Sequence, residues 1–185
     1  KTASLYSWHL SSDFELVYSN HPSPAPLKNI FTLSSCSEYM KQHFQTSVSP
    51  IFLFDDFFFL WAAVPAFTDN EQLINVHLLG PVFNSYTSDS YIKEKMDIQS
   101  MSIKSKRELL SLIKQIPVIP TAFFSNYVCQ LYYTLNNTVI SANDIKLQGN
   151  ALTPRKDNEQ HFTPSAHSPY HYEMLLVKSV QDGIP

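Results

Sequence analysis

Residues 48–83, with the sequence VSPIFLFDDFFFLWAAVPAFTDNEQLINVHLLGPVF, decide the fold class of this chain. Three apolar runs alternate with two polar breaks: Ile51–Phe54, Asp55-Asp56, Phe57–Ala63, Thr68–Gln72 and Leu73–Leu79. Short runs that are rich in aromatic and β-branched residues and are bounded by Asp, Asn and Pro predict buried strands. Because so many aromatic side chains would be costly to expose to water, other elements must cover this sheet.

Helical patterns follow these three strands. Gly80-Pro81 is predicted to end the third strand, and Ser88–Met96 is predicted to form a helix. Ser105-Lys106-Arg107-Glu108 fits a capping box, and the helix that it begins is expected to stop at Pro117. Thr121 begins an aromatic helix, after which Val139–Leu147 is a candidate edge strand. Strands followed by helices predict an α+β domain.

The first 47 residues have weaker patterns. Alternation in Ser12–Asn20 predicts a strand that ends in a turn at His21-Pro22. Prolines at positions 22, 24 and 26 favour an extended and unhelical segment after it. Ser35–Phe44 has the spacing of a short helix.

Composition excludes several classes of protein. The 185 residues carry a net charge of −3 and only 3 glycines, which argues against nucleic-acid binding by this chain and against a glycine-rich phosphate loop. Cys36 and Cys129 have no metal or redox spacing, so two reduced thiols are expected. No apolar run is long enough to span a bilayer and no signal peptide is recognisable, which favours a cytoplasmic location without membrane association.

Candidate reactive groups each have a simpler explanation. His161, His167 and His171 include an i, i+4 pair that suits zinc in a helix, but Pro169 lies between the pair and no further ligand completes a site. Asp55-Asp56 suits either general acid–base chemistry or a hairpin turn. Because no catalytic arrangement is recognisable, we expect no enzyme activity, no metal and no cofactor.

Trp61 and His77 lie in otherwise apolar strands, and each has a polar ring nitrogen to satisfy. One interpretation is a core tryptophan and a core histidine that bond to backbone. The other is that both line an effector cavity between the sheet and the helices. For that second interpretation the candidate pocket residues are Trp61, His77, Phe83, Tyr127, Cys129, Tyr132 and Tyr133.

Several motifs together resemble one protein family. The strings are FLFDDFFFLWAAVP, VHLLGPVF, LLSLIKQIPVIPTAFFSNYVCQLYYTLNN, VISANDIKLQ and the stretch His171–Gly183. In order and spacing they are similar to the amino-terminal region of AraC-type transcriptional regulators from low-GC Gram-positive bacteria. The resemblance implies a PAS/GAF-like sensory domain, with a central antiparallel sheet flanked by helices. It also implies two helix-turn-helix units beyond Pro185, and it does not extend to Lys1–Phe44.

The expected organisation is a sensory domain over residues 1–149, a polar linker over 150–167 and a connector helix over 168–185. The function expected from the resemblance is ligand sensing, dimerisation or both, with a small-molecule or peptide effector and DNA contacted only by the following domain. The alternative is a ligand-free dimerisation or protein-interaction scaffold. An apolar face on the connector helix suits homodimerisation or docking on its own sheet: Tyr172, Leu175, Leu176 and Val180.

Leu176→Asp tests the connector face. A buried, unpaired carboxylate at a subunit interface is strongly destabilising, so the variant is expected to convert a dimer into a monomer. Light scattering across a concentration series measures this change, and an unchanged oligomeric state would remove the dimerisation role from this face.

Overall fold

A six-stranded mixed sheet organises the computed structural model, which describes residues 5–22, 25–84, 89–98 and 102–148. The strands are β1 (Ser7–Ser11), β2 (Leu16–Ser19), β3 (Ile51–Phe54), β4 (Leu60–Phe67), β5 (Leu73–Val82) and β6 (Lys146–Leu147). The helices are α1 (Ala25–Leu33), α2 (Cys36–Phe44), α3 (Asp89–Ile98), α4 (Ile103–Ile113) and α5 (Thr121–Asn136). The predicted α+β class is confirmed.

The strand order across the sheet is β2-β1-β5-β4-β3-β6. The four strand pairs that link β2, β1, β5, β4 and β3 are antiparallel, as the family resemblance implies. The edge strand β6 instead runs parallel to β3, pairing Ile51 with Lys146 and Phe52 with Leu147. The sheet is therefore mixed, because the chain returns to it after α5 in the direction of β3.

Both faces of the sheet are covered, which explains why β3 and β4 are apolar along their whole length. Alternate residues of a strand point to opposite faces, so Leu53 and Phe52 enter different cores. On one face, Leu53 and Trp61 pack with residues of α1, α2, α3 and α4, and we call this the first core. On the other face, Phe52 and Ala62 pack with Phe124, Val128 and Tyr132 of α5 in the second core.

The predicted break at Gly80-Pro81 is wrong, because β5 continues through both residues to Val82. Gly80 has a φ of +115°, its N–H donates to the carbonyl of Tyr6 at 2.9 Å, and its carbonyl accepts from Trp8 Nε1 at 2.7 Å. The N–H and the carbonyl of Gly80 are thus both hydrogen-bonded, to Tyr6 just before β1 and to Trp8 in β1. The glycine can therefore adopt an irregular backbone conformation without ending β5.

One helix was not predicted, and another begins earlier than predicted. Helix α1 begins at Ala25, with Pro26 in its first turn, where the missing N–H has no helical partner to lose. Helix α4 begins at Ile103, and the N-cap is Ser102, whose Oγ accepts the N–H of Ser105 at 3.1 Å. The predicted capping box at Ser105 is therefore wrong by one turn.

The described helices α2 and α5 lie close to their predicted positions, and α3 falls within about two residues of its own. The two amino-terminal strands differ from prediction: β1 was not predicted, and only part of Ser12–Asn20 forms β2. No described helix is both long and apolar enough to cross a bilayer.

Replacing Gly80 by alanine tests the close packing between β5 and β4. An added Cβ would lie 2.9 Å from the carbonyl oxygen of Leu60, and the φ of +115° is unfavourable for any other residue. We expect Gly80→Ala to lower the free energy of unfolding by about 2–5 kcal/mol.

Urea unfolding measures this loss, and Asn137→Gly is the matched control. Asn137 ends α5 with a φ of 52°, a conformation that glycine adopts freely, so the control should be as stable as the parent. Equal stability of Gly80→Ala and the parent would contradict the proposed packing constraint.

Candidate functional site

The turn between β3 and β4 is built around the buried side chain of Asp55. Its Oδ1 accepts the backbone N–H groups of Phe57 at 2.9 Å and Phe59 at 3.1 Å, while Phe58 has a φ of 60°. Because these bonds draw residues 57–59 into the turn, β4 starts at Leu60 rather than at the predicted Phe57. Asp55 and Asp56 thus lie in a hairpin turn, which was one of the two interpretations of the pair.

Trp61 is fully buried in the first core and donates its indole N–H to Asp55 Oδ2 at 2.9 Å. Its ring meets Phe31 at a centroid distance of 5.1 Å and Trp8 at 6.0 Å. The tryptophan nitrogen is therefore satisfied by a carboxyl group, not by backbone. Burial raises the pKa of Asp55 to about 7, although the three N–H donors act in the opposite direction.

His77 lies on the opposite face of the sheet from Trp61. It pairs with Val64 on β4, which belongs to the second core, and its ring stacks on that of His9 with centroids 4.7 Å apart. Burial lowers the pKa of His77, and the neighbouring His9 lowers it further. Because the sheet separates Trp61 from His77, the two side chains do not share a cavity.

The other predicted pocket residues are also distributed over different surfaces. Phe83 packs edge-on against Phe59 in the first core at 5.0 Å, whereas Tyr132 is buried in the second core beside the half-buried Cys129. Tyr127 and Tyr133 are each 50% exposed on the outer side of α5. The three tyrosines on α5 differ in exposure because successive helical positions are rotated by about 100° around the helix axis.

A cavity of about 550 Å³ lies between α1, the β3–β4 turn and α4. Its walls are side chains at helical spacing: Asn29 and Ile30 come one turn after Ala25 and Pro26, and Glu108 and Leu109 come one turn after Ser105. The complete set of described lining residues is Ala25, Pro26, Asn29, Ile30, Ser34, Asp56, Phe57, Ser105, Glu108 and Leu109.

The cavity has an apolar floor and a polar rim. Ile30, Phe57 and Leu109 are buried, whereas Asn29, Asp56 and Glu108 are exposed. None of the described lining residues is basic. This combination of buried hydrocarbon and a few converging polar groups is typical of small-molecule sites.

A second cavity of about 40 Å³ adjoins the first core and is bordered by Trp8, Phe31 and Trp61. Its volume is far below the roughly 300–1,000 Å³ of small-molecule pockets, so it is not a candidate ligand site. Trp61 is the one member of the predicted pocket set that borders either of these two cavities.

Sequence reasoning did not identify the residues that line the larger cavity. Asp56 was considered only as part of a pair, and Ser105 and Glu108 were assigned to a helix cap. A usable signal was present in α4, where Ser105, Glu108 and Leu109 share one face at i, i+3 and i+4. The α1 wall could not be anticipated, since no helix was predicted there.

The Cys36 thiol at the start of α2 is not activated as a nucleophile. Burial raises the pKa of Cys36 to about 12, and its thiol donates to the carbonyl of Phe54 at 3.3 Å, so a thiolate nucleophile is disfavoured. Within the described parts of the chain, no three His, Cys, Asp or Glu side chains are grouped so as to hold a metal ion. The histidines at 161, 167 and 171 lie outside the described residues, as do the linker over 150–167 and the connector residues Tyr172, Leu175, Leu176 and Val180.

Comparison with known proteins adds no identification. No protein-family model, curated protein or solved structure matches this chain at a significant level.

The raised pKa of Asp55 predicts how stability depends on pH. The folded-state value of about 7 exceeds the ordinary 3.8, so the folded protein holds this proton more tightly. The free energy of unfolding should therefore fall as the pH rises between these two values and become level above about pH 7 with respect to this group.

Asp55→Asn removes the titrating group and should flatten that part of the profile. Chemical unfolding at about pH 5 and about pH 8 measures the difference for each protein. Asp69→Asn, in the exposed β4–β5 turn, is the control and should retain the parent profile. A parent-like pH dependence in Asp55→Asn would contradict the assignment.

Proposed function

We propose that this chain is the ligand-sensing domain of an AraC-type transcriptional regulator, and that the cavity between α1, the β3–β4 turn and α4 holds its effector. The observation that carries the proposal is the cavity itself, about 550 Å³ in volume with an apolar floor and a polar rim. Small-molecule pockets occupy roughly 300–1,000 Å³ and have this composition. A solidly packed scaffold would leave no such space.

The fold supports a PAS/GAF-like assignment within this proposal. Five neighbouring antiparallel strands form the centre of the sheet, and α1 and α2 are inserted between β2 and β3. Both helices pack on the same face in the first core, where the cavity lies. The regulator assignment rests on the motif resemblance in the sequence, which covers roughly residues 48–183.

The burial and hydrogen bonding of Asp55 and the raised pKa of Cys36 favour a binding role over a catalytic role. The Asp55 carboxyl accepts three N–H bonds within its own hairpin, and the pKa of Cys36 is raised to about 12. Asp55 is buried and does not line the cavity, so a ligand there does not reach it, and the Cys36 thiol stays protonated at neutral pH. The proposal therefore assigns to the cavity recognition of a ligand and no bond-making step.

Effector binding would act by a population shift. A ligand in the cavity would contact α1, α4 and the β3–β4 turn together. It would therefore favour the packing in which the distances between these three elements fit the ligand. Under this proposal the connector over residues 168–185 passes that preference to the DNA-binding half of a homodimer. The location is proposed to be cytoplasmic, where such a regulator meets its DNA.

The ligand-free interaction scaffold remains the second candidate, and one observation favours it. The outer side of α5 exposes three aromatic rings, with Phe123 64% exposed and Tyr127 and Tyr133 each 50% exposed. Exposed aromatic side chains on one helix are common at protein interfaces. This surface is separate from the cavity, so the two functions predict different responses to the same variant.

A thermal-shift screen against a metabolite and peptide library distinguishes the two functions. A ligand that binds only the folded state raises the melting temperature in proportion to the logarithm of its concentration. Asn29→Trp places a large ring at the exposed rim of the cavity, and it should abolish this response without removing a buried side chain. Gln130→Trp adds the same ring to the exposed side of α5 and should respond like the parent.

The outcomes separate cleanly. Ligands that stabilise the parent and Gln130→Trp but not Asn29→Trp establish the cavity as the sensing site. Equal stabilisation of Asn29→Trp would place the ligand elsewhere. A flat response to the whole library would favour the scaffold.

A further inference from the structure

We propose that the outer face of α5 binds the same face of a second copy of this chain, in an antiparallel contact centred on Gln130. This inference goes beyond the proposed function, because the contact forms with or without an effector. It also differs from dimerisation through the connector over residues 168–185, since it assigns the exposed aromatic surface of α5 to one partner.

The outer face of α5 carries no charge. The helix has the sequence TAFFSNYVCQLYYTLN, without an acidic, basic or histidine residue. Its exposed residues are Ala122, Phe123, Asn126, Tyr127, Gln130, Tyr133 and Thr134. Helix α4 has the usual composition of a solvated face, with Lys104, Arg107 and Glu108 exposed. The face of α5 instead has the composition of an interface core, in which aromatic residues are enriched and charged residues are depleted.

The exposed rings of α5 lie along one stripe, away from the second core. Phe123, Tyr127, Gln130 and Tyr133 follow one another at intervals of three or four residues, which places them along one side of a helix. The three aromatic side chains are each half exposed or more. A second helix packed along this stripe would remove their apolar surface from water, which is the main driving force for association.

The stripe is nearly symmetrical about Gln130. Tyr127 lies three residues before it and Tyr133 three residues after it, while Asn126 and Thr134 lie four residues to either side. Two copies related by a two-fold axis at Gln130 would therefore place Tyr127 of one protomer beside the partner subunit's Tyr133. A two-fold contact requires a surface that is complementary to itself, and this arrangement supplies one.

A second copy also fits the hydrogen-bonding groups and the charge of this face. The side-chain amides of Asn126 and Gln130 each donate and accept hydrogen bonds, so like groups can pair across the axis. Because the face is uncharged, two copies meet there without the like-charge repulsion that opposes association of charged surfaces. Nucleic acid and membrane surfaces are bound largely through basic side chains, which α5 lacks.

The dimensions of the face predict a weak dimer. A helix of 16 residues is about 24 Å long and about 10–12 Å wide with its side chains. This footprint is well below the roughly 800 Å² per partner of a standard stable interface. The contact is therefore expected to be transient, with association that depends on protein concentration.

Opposite charges introduced at Gln130 test the contact. The residue is exposed, and glutamate and lysine are as favourable in a helix as glutamine, so both variants should fold as the parent does. Each variant would place like charges together at the two-fold axis. Gln130→Glu and Gln130→Lys should therefore each weaken self-association roughly tenfold or more. An equimolar mixture of the two should associate again, since opposite charges then meet at the axis.

Sedimentation velocity on the full chain, from roughly 1 µM to 1 mM, measures these differences in the range of weak interfaces. Gln45→Glu is the matched control. It makes the same substitution at an exposed residue that follows α2, and α2 packs in the first core rather than the second. This control should associate as the parent does.

Three results would overturn the proposal. A parent that stays monomeric at every concentration would do so, whether the face then binds a different protein, another part of this chain or nothing. A dimer that both Gln130 variants leave intact would do so as well, and its loss in Leu176→Asp would assign the contact to the connector. Failure of the mixture to associate would exclude the two-fold arrangement about Gln130. The effector cavity is tested separately, by the ligand response that depends on Asn29.

Discussion

The hydrogen bonds that the buried Asp55 carboxyl accepts are the constraint on which the rest of the structure depends. Two backbone N–H groups, from Phe57 and Phe59, fix the hairpin between β3 and β4, and the indole of Trp61 fixes the hairpin to the first core. A buried N–H that lost this partner would carry a desolvation cost of about 1–3 kcal/mol. The same turn presents Asp56 and Phe57 to the cavity, so the constraint also shapes the candidate site.

The two faces of the sheet are covered by helices of different length, and this difference determines where a cavity remains. One long helix, α5, packs against the second core with Phe124, Val128 and Tyr132. The first core is covered by several shorter helices, and between α1 and α4 a space of about 550 Å³ remains. Junctions between short helices are natural places for cavities, because their ends and connections do not pack as continuously as one helix on a sheet.

The candidate site illustrates why residue types alone did not locate it. Trp61 and His77 were selected because each has a polar ring nitrogen in an apolar strand. Trp61, however, donates a hydrogen bond to Asp55, and His77 stacks on His9 of the neighbouring strand on the other face of the sheet. The cavity is instead lined by ordinary residues such as Asn29 and Glu108. Their significance comes from two helices meeting at one turn, which is a property of packing.

The sequence by itself determined the α+β class, the three central strands and α5, because apolar runs bounded by turn residues and helical spacing are local signals. It did not determine β1, α1 or the passage of β5 through Gly80. The pairing of β1 and the passage through Gly80 depend on bonds between residues distant in sequence, such as that from Trp8 to Gly80. The cavity was likewise decided by tertiary structure, since only folding brings residues 29, 56 and 108 around one space.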